Sequence, residues 1–143
     1  MTLVAFATGL FLVLILGVIH HVGVLMIVRV APNFRASGHA PIIVAFACLL
    51  ILHSFEIVLF ALVLSALLEI EGFGDFGGTY SGTWEGLIYF SGMSFVTLGF
   101  SDMKAFGPIR LVAMFLSLGG FMVLTWSATL LYSICSKIWQ QDS

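Results

Sequence analysis

The sequence predicts an all-α membrane protein in which three helices cross the bilayer and a fourth, shorter one enters it and returns. Three observations lead there. Of 143 residues, 61% are hydrophobic and 8% charged, with a mean hydropathy of +1.18, far outside the range of soluble domains. Stretches 3–28, 42–68 and 108–134 are each longer than the roughly 20 apolar residues that a membrane helix needs. Between the second and third lies another apolar run, Gly86 to Val96. As a helix it is roughly 16 Å long, about half of a hydrocarbon core.

In chain order, the first span, 3–28, is apolar apart from Thr8, its glycines and the pair His20 and His21. It is too long for a signal peptide and no basic region precedes it, so it is expected to stay in the mature chain. From Arg29 to Pro41, two arginines, two prolines and a glycine stop the helix at Pro32 and favour a turn. The second span, 42–68, carries Cys48, His53, Ser54, Glu56 and Ser65 among aliphatic and aromatic residues. Glu69 to Thr83 is glycine-rich and acidic and reads as an exposed loop with several turns. Ser81 or Thr83 is placed to cap the short helix, with Glu85 in its first turn complementing the helix dipole. Pro108 opens the last span at or near its first helical position and leaves 135–143 as a tail. Cys48 and Cys135 lie within apolar sequence and read as small fillers rather than a disulfide or a metal pair.

The short segment, 84–102, ends in Thr97, Leu98, Gly99, Phe100, Ser101 and Asp102. A hydroxyl residue, a glycine and a small polar residue suit an irregular return path, which membranes tolerate only where it lines water or is buried in protein. A short helix followed by T-L-G-F-S-D resembles the pore helix and selectivity filter of potassium channels, T-x-G-[YF]-G-D, the filter by which ion selectivity is generally illustrated. The last span, with its Gly-Pro-x-Arg-Leu opening, and the pattern H-S-F-E-I in the second are similar to small bacterial channels of the two-pore-domain-like, pore-loop family. The resemblance covers about 51–132 and implies a homotetramer with the pore on its axis and a permeating monovalent cation, potassium. It makes Thr97, Leu98, Gly99, Phe100 and Ser101 the ion-binding filter, Asp102, Tyr89 and Met93 its support, and Gly119 and Gly120 the flexible point of the inner helix. Paired glycines also permit close helix packing.

Two departures from the family are visible. Ser101 replaces the last filter glycine, where a side chain costs roughly 1–2 kcal/mol in a left-handed conformation, so a strained, less regular outer filter and weakened discrimination against sodium are expected. Phe100 lacks the usual tyrosine hydroxyl, and Met93 stands where many members carry a carboxylate, which leaves Tyr89 as the donor expected to hold Asp102.

His53 and Glu56 share a face of the second span at i, i+3. His20 or His21 is roughly 12 Å from the inner end of the first span and His53 roughly 15 Å from that of the second, so they can meet. Ionisable groups inside a membrane are functional candidates. An interhelical hydrogen bond, a transition-metal site and a proton path all remain open for His20, His21, His53 and Glu56. Glu56 is expected either to pair with His53 or a first-span histidine, or to be kept neutral by its surroundings.

Arg29, Arg35 and Lys137 fall on one side of the membrane against Lys104 and Arg110 on the other. With the resemblance, this puts the N-terminus outside and the C-terminus in the cytoplasm, in the plasma membrane of a prokaryotic cell. The acidic residues Glu69, Glu71, Asp75, Glu85 and Asp102 then gather on the outer face, where they raise the local cation concentration. Lipid is the surrounding partner. The net charge of -2 gives no surface for nucleic acid. No arginine-every-third pattern, nucleophile set or phosphate loop is present, so neither a voltage sensor nor an enzyme is expected, and no cofactor. The rival readings are a non-conducting scaffold subunit and a proton- or metal-coupled transporter.

Overall fold

The computed structural model describes residues 1–30, 39–99 and 101–141. The turn expected around Pro32, with Arg35, and the filter position Phe100 lie outside these. Four helices follow one another: α1 (Thr2–Val30), α2 (Ala40–Leu68), α3 (Trp84–Phe95) and α4 (Ile109–Gln141). Three of them, α1, α2 and α4, are long and apolar enough to cross a membrane. The protein is a mostly helical, multi-pass membrane protein.

Each long helix starts and stops for local reasons. Pro41 sits in the first turn of α2, where its missing N–H is not needed. Arg29 lies in the last turn of α1, complementing the dipole. The tail expected after 134 is instead helical to Gln141. Ile134 and Ile138, one turn apart, are buried with Ala45, so the apolar stripe of α4 continues beyond the span as read from the sequence.

α1 packs chiefly against α4, while α3 wedges between α2 and α4. The main core joins Leu16 of α1, Phe60 and Leu64 of α2, Phe90 and Phe95 of α3, and Val112 and Leu116 of α4. Large apolar side chains such as Leu3, Phe11, Ile43, Ile51 and Phe121 remain exposed, as expected of surfaces facing lipid or other chains.

The loop ahead of α3 holds an element that the sequence reading missed. Strand β1 (Asp75–Gly77) pairs antiparallel with β2 (Lys104–Phe106), Asp75 opposite Phe106 and Gly77 opposite Lys104. The pairing ties the chain before α3 to the chain after it. Phe76 is buried beneath the strand and meets the Phe90 ring edge-on at 4.6 Å. The close backbone approach requires glycine. A Cβ on Gly78, at φ +80°, would collide with the Asp102 carbonyl oxygen.

Candidate functional site

Two groups of residues stand out, and α4 touches both. The first is the non-helical stretch after α3. Thr83 caps that helix, its hydroxyl accepting from the Gly86 N–H at 3.3 Å, with Glu85 in the first turn. The helix has 12 residues, roughly 18 Å at 1.5 Å per residue against a core of about 30 Å. It ends in a turn in which Thr97 N–H donates to the Ser94 carbonyl and Leu98 N–H to that of Met93. Thr97 and Gly99 both take positive φ, 58° and 66°, and Thr97, Leu98 and Gly99 are all exposed on the single chain.

The strain expected at Ser101 is not found there. Among the described residues Thr97 is the one non-glycine with positive φ. Ser101 keeps an ordinary φ, and its Oγ accepts from the Met103 N–H at 3.1 Å. The local reason is that a serine hydroxyl can close a small turn with its own backbone, which holds the chain without a left-handed residue. The expected support of Asp102 is not formed either. No hydrogen bond joins Tyr89 to Asp102 among the described residues. Tyr89 and Met93 instead line a shallow apolar groove with Ile57, Val58, Ile88 and Gly92.

Gly119 and Gly120 lie side by side within continuous α4 and are both buried. They face different neighbours. A Cβ on Gly120 would come within 2.1 Å of the Phe95 carbonyl oxygen, whereas one on Gly119 would meet Leu16 and Val13 side chains at 3.0–3.1 Å. Gly120 therefore seats the C-terminal end of α3 on α4, and Gly119 seats α1.

The second group is a closed ring of polar side chains from three helices. His20 Nδ1 lies 3.0 Å from Glu56 Oε1, and His53 Nδ1 lies 2.9 Å from Glu56 Oε2. On the other edge of both imidazoles stands Ser127, its Oγ 2.9 Å from His53 Nε2 and 3.4 Å from His20 Nε2. The two rings stack with centroids 5.4 Å apart. His20 and Glu56 are fully buried. Glu56 thus pairs with both of its expected partners at once.

Hydrogen counting constrains this ring. Four hydrogen bonds need four hydrogens, and serine supplies one. The remaining three suit an ionised carboxylate with one imidazole and one imidazolium, or a protonated carboxyl with two neutral imidazoles. Either way the sum of charges is zero, which suits a membrane interior. His21 is not part of the ring: it is exposed, its ring 5.6 Å from that of Trp126.

Ser127 was missed in the sequence because a lone serine in an apolar helix has no spacing relation to partners on other helices. A further polar feature was legible and overlooked. Thr125, Thr129 and Ser133 recur at every fourth residue of α4, exposed, each hydroxyl donating to the carbonyl one turn before it: Phe121, Thr125 and Thr129. They form a hydroxyl stripe down one face of the helix.

Comparison with known proteins gives a family match. The model of a family described as an ion channel matches residues 45–137, from the second span through most of the last. No curated protein and no solved structure matches the chain significantly.

Proposed function

The chain belongs to that ion channel family, matched over residues 45–137, and from this premise we propose that it is the subunit of a tetrameric cation channel conducting potassium. In this reading α3 is the pore helix and residues 97–101 are the filter. The N-terminus is outside and the C-terminus cytoplasmic, in the plasma membrane of a prokaryotic cell. One observation carries the proposal: a helix too short to span is followed by non-helical backbone at Thr97, Leu98 and Gly99 that is exposed on the single chain. Irregular backbone at membrane depth needs water or protein around it. Four copies about one axis supply both, since they turn the exposed carbonyls into rings that replace an ion's hydration shell.

Three further features support the reading. The C-terminal, partially negative end of α3 favours a cation beside Thr97. The exposed hydroxyl stripe of Thr125, Thr129 and Ser133 on α4 would line an aqueous cavity below the filter. Glu69, Glu71 and Asp75 border an open cup of about 500 Å³ at the mouth of the loop before α3, where they would concentrate cations. Gly119 and Gly120 would let α4 bend only by loosening its seats on α1 and α3. Asp102, Tyr89 and Met93 would act on the filter from outside it.

The test is ion flux in liposomes holding purified protein, under a potassium gradient with no proton gradient. Potassium flux is expected. Flux only with a proton gradient would favour a transporter built on the His20, His53 and Glu56 ring, and no flux under either gradient would favour a scaffold.

A further inference from the structure

We propose that His20, His53 and Glu56 form a binding site for a first-row divalent transition ion of the zinc type, inside the membrane and apart from the path of permeating cations. Two imidazoles and a carboxylate are a donor set that such ions prefer, and one ligand atom from each of the three lies within 4.8 Å of the others. Ligands held at about 2.0–2.2 Å from one ion and some 90–110° apart are separated by roughly 2.9–3.5 Å. The two His–Glu contacts, 3.0 and 2.9 Å, already have that separation. These contacts run to the two different oxygens of Glu56, and the stacked imidazoles, 5.4 Å apart between centroids, would have to turn toward each other for both Nδ1 atoms to reach one ion.

The outer side of the site is the stronger indication. Histidines that ligate metals nearly always donate their second ring N–H to an oxygen, which fixes the tautomer. Here both Nδ1 atoms face Glu56 and both Nε2 atoms face the same hydroxyl, Ser127 Oγ. A serine oxygen has two lone pairs and can accept both N–H groups at once. With an ion bound, each imidazole is neutral, metallated at Nδ1 and protonated at Nε2, and both N–H groups donate to Ser127 Oγ, whose own hydrogen no longer has an imidazole to donate to. The change from the ion-free ring is the loss of one proton to solvent as the ion arrives. The site joins α1 to α2 directly and reaches α4 through Ser127, so an occupied site braces the helices that surround α3.

The experiment uses the full chain in detergent, loaded with Zn²⁺ or Co²⁺ and freed of loose ion by gel filtration. About one ion retained per chain is expected, with release of about one proton per ion, read by calorimetry in buffers of different ionisation enthalpy. Binding should be lost in His20→Gln/His53→Gln, weakened about 10- to 100-fold in Ser127→Ala, and unchanged in His21→Ala. Because the double variant can fail to fold, the Co²⁺ absorption spectrum of the unaltered chain provides an independent reading. Bands of a four- or five-coordinate nitrogen and oxygen site support the proposal. A six-coordinate, water-like spectrum, or retention no higher than in a folded double variant, overturns it. Neither result bears on potassium flux, so the channel reading stands or falls separately.

Discussion

At Gly120 a single missing methyl group decides how closely two helices approach. A Cβ there would overlap the Phe95 carbonyl oxygen, which is backbone and cannot rotate away. Gly120→Ala must push α3 off α4, at a cost of about 1–3 kcal/mol for overpacking. Gly119→Ala meets only the ends of Leu16 and Val13 and should cost less. Thermal melting in detergent checks the ordering, with a larger fall in Tm for Gly120→Ala expected. Glu56 is the other residue on which much depends, since removing its side chain leaves one buried and one half-buried imidazole without their partner. Glu56→Ala should destabilise the fold by on the order of 3–5 kcal/mol and leave the reversal potential alone. A shifted reversal potential with unchanged expression and open probability would place Glu56 in the ion path.

Among the elements, the paired strands and the return path are the least ordinary. Ser101 holds its turn by accepting from the Met103 N–H, and Ser101→Gly removes that bond while freeing the backbone. Bi-ionic reversal potentials in planar bilayers should therefore move on substitution. The direction tells which feature governs: tighter potassium selectivity in the glycine form would mean that the serine turn distorts the filter, and looser selectivity that it holds the filter in place. Gly78→Ala would force the Asp102 carbonyl away and unpair β1 from β2. Single-channel conductance should change while the far-ultraviolet dichroism of the helices does not. Tyr80, in the same loop, has its hydroxyl pushed above the ordinary 10.0 by burial and then by the nearby Asp75 charge. The fold therefore keeps this phenol neutral where the unfolded chain would ionise it. Its contribution is present in full below the ordinary tyrosine range and is lost as pH rises from there through the folded-state value. The difference in spectrophotometric titration between the unaltered chain and Tyr80→Phe should show Tyr80 ionising above the ordinary tyrosine range, and Asp75→Asn should bring it earlier.

At the scale of the whole molecule, the proposed pore needs four chains to close its filter, and native mass spectrometry should find four copies. A chain seen only as monomer or dimer would remove the basis for a shared filter, because each copy has one such segment. The spans and the short helix were legible because length and apolarity alone decide what can cross a bilayer. The i, i+3 spacing of His53 and Glu56 was legible for the same reason, as a property of one helix. What could not be read was anything that depends on two distant stretches meeting. Ser127 lies 74 residues from His53 and 107 from His20, and strands of three residues are too short to show an alternating pattern. Choosing between His20 and His21 was likewise beyond the sequence, since which one turns inward depends on where α4 lies.

The strand pairing has a consequence for how the chain is made. β1 and the Phe73 carbonyl leave the ribosome well before their partners, β2 and the Ile109 N–H, which donates to that carbonyl at 2.8 Å. Until those later residues emerge, the short helix has α2 to pack against but neither the strand pairing nor α4, and Gly120, on which its end rests, comes later still. The segment between Gly77 and Lys104 is therefore closed at its base, and seated on both of its neighbouring helices, only after the residues as far as Gly120 have been made.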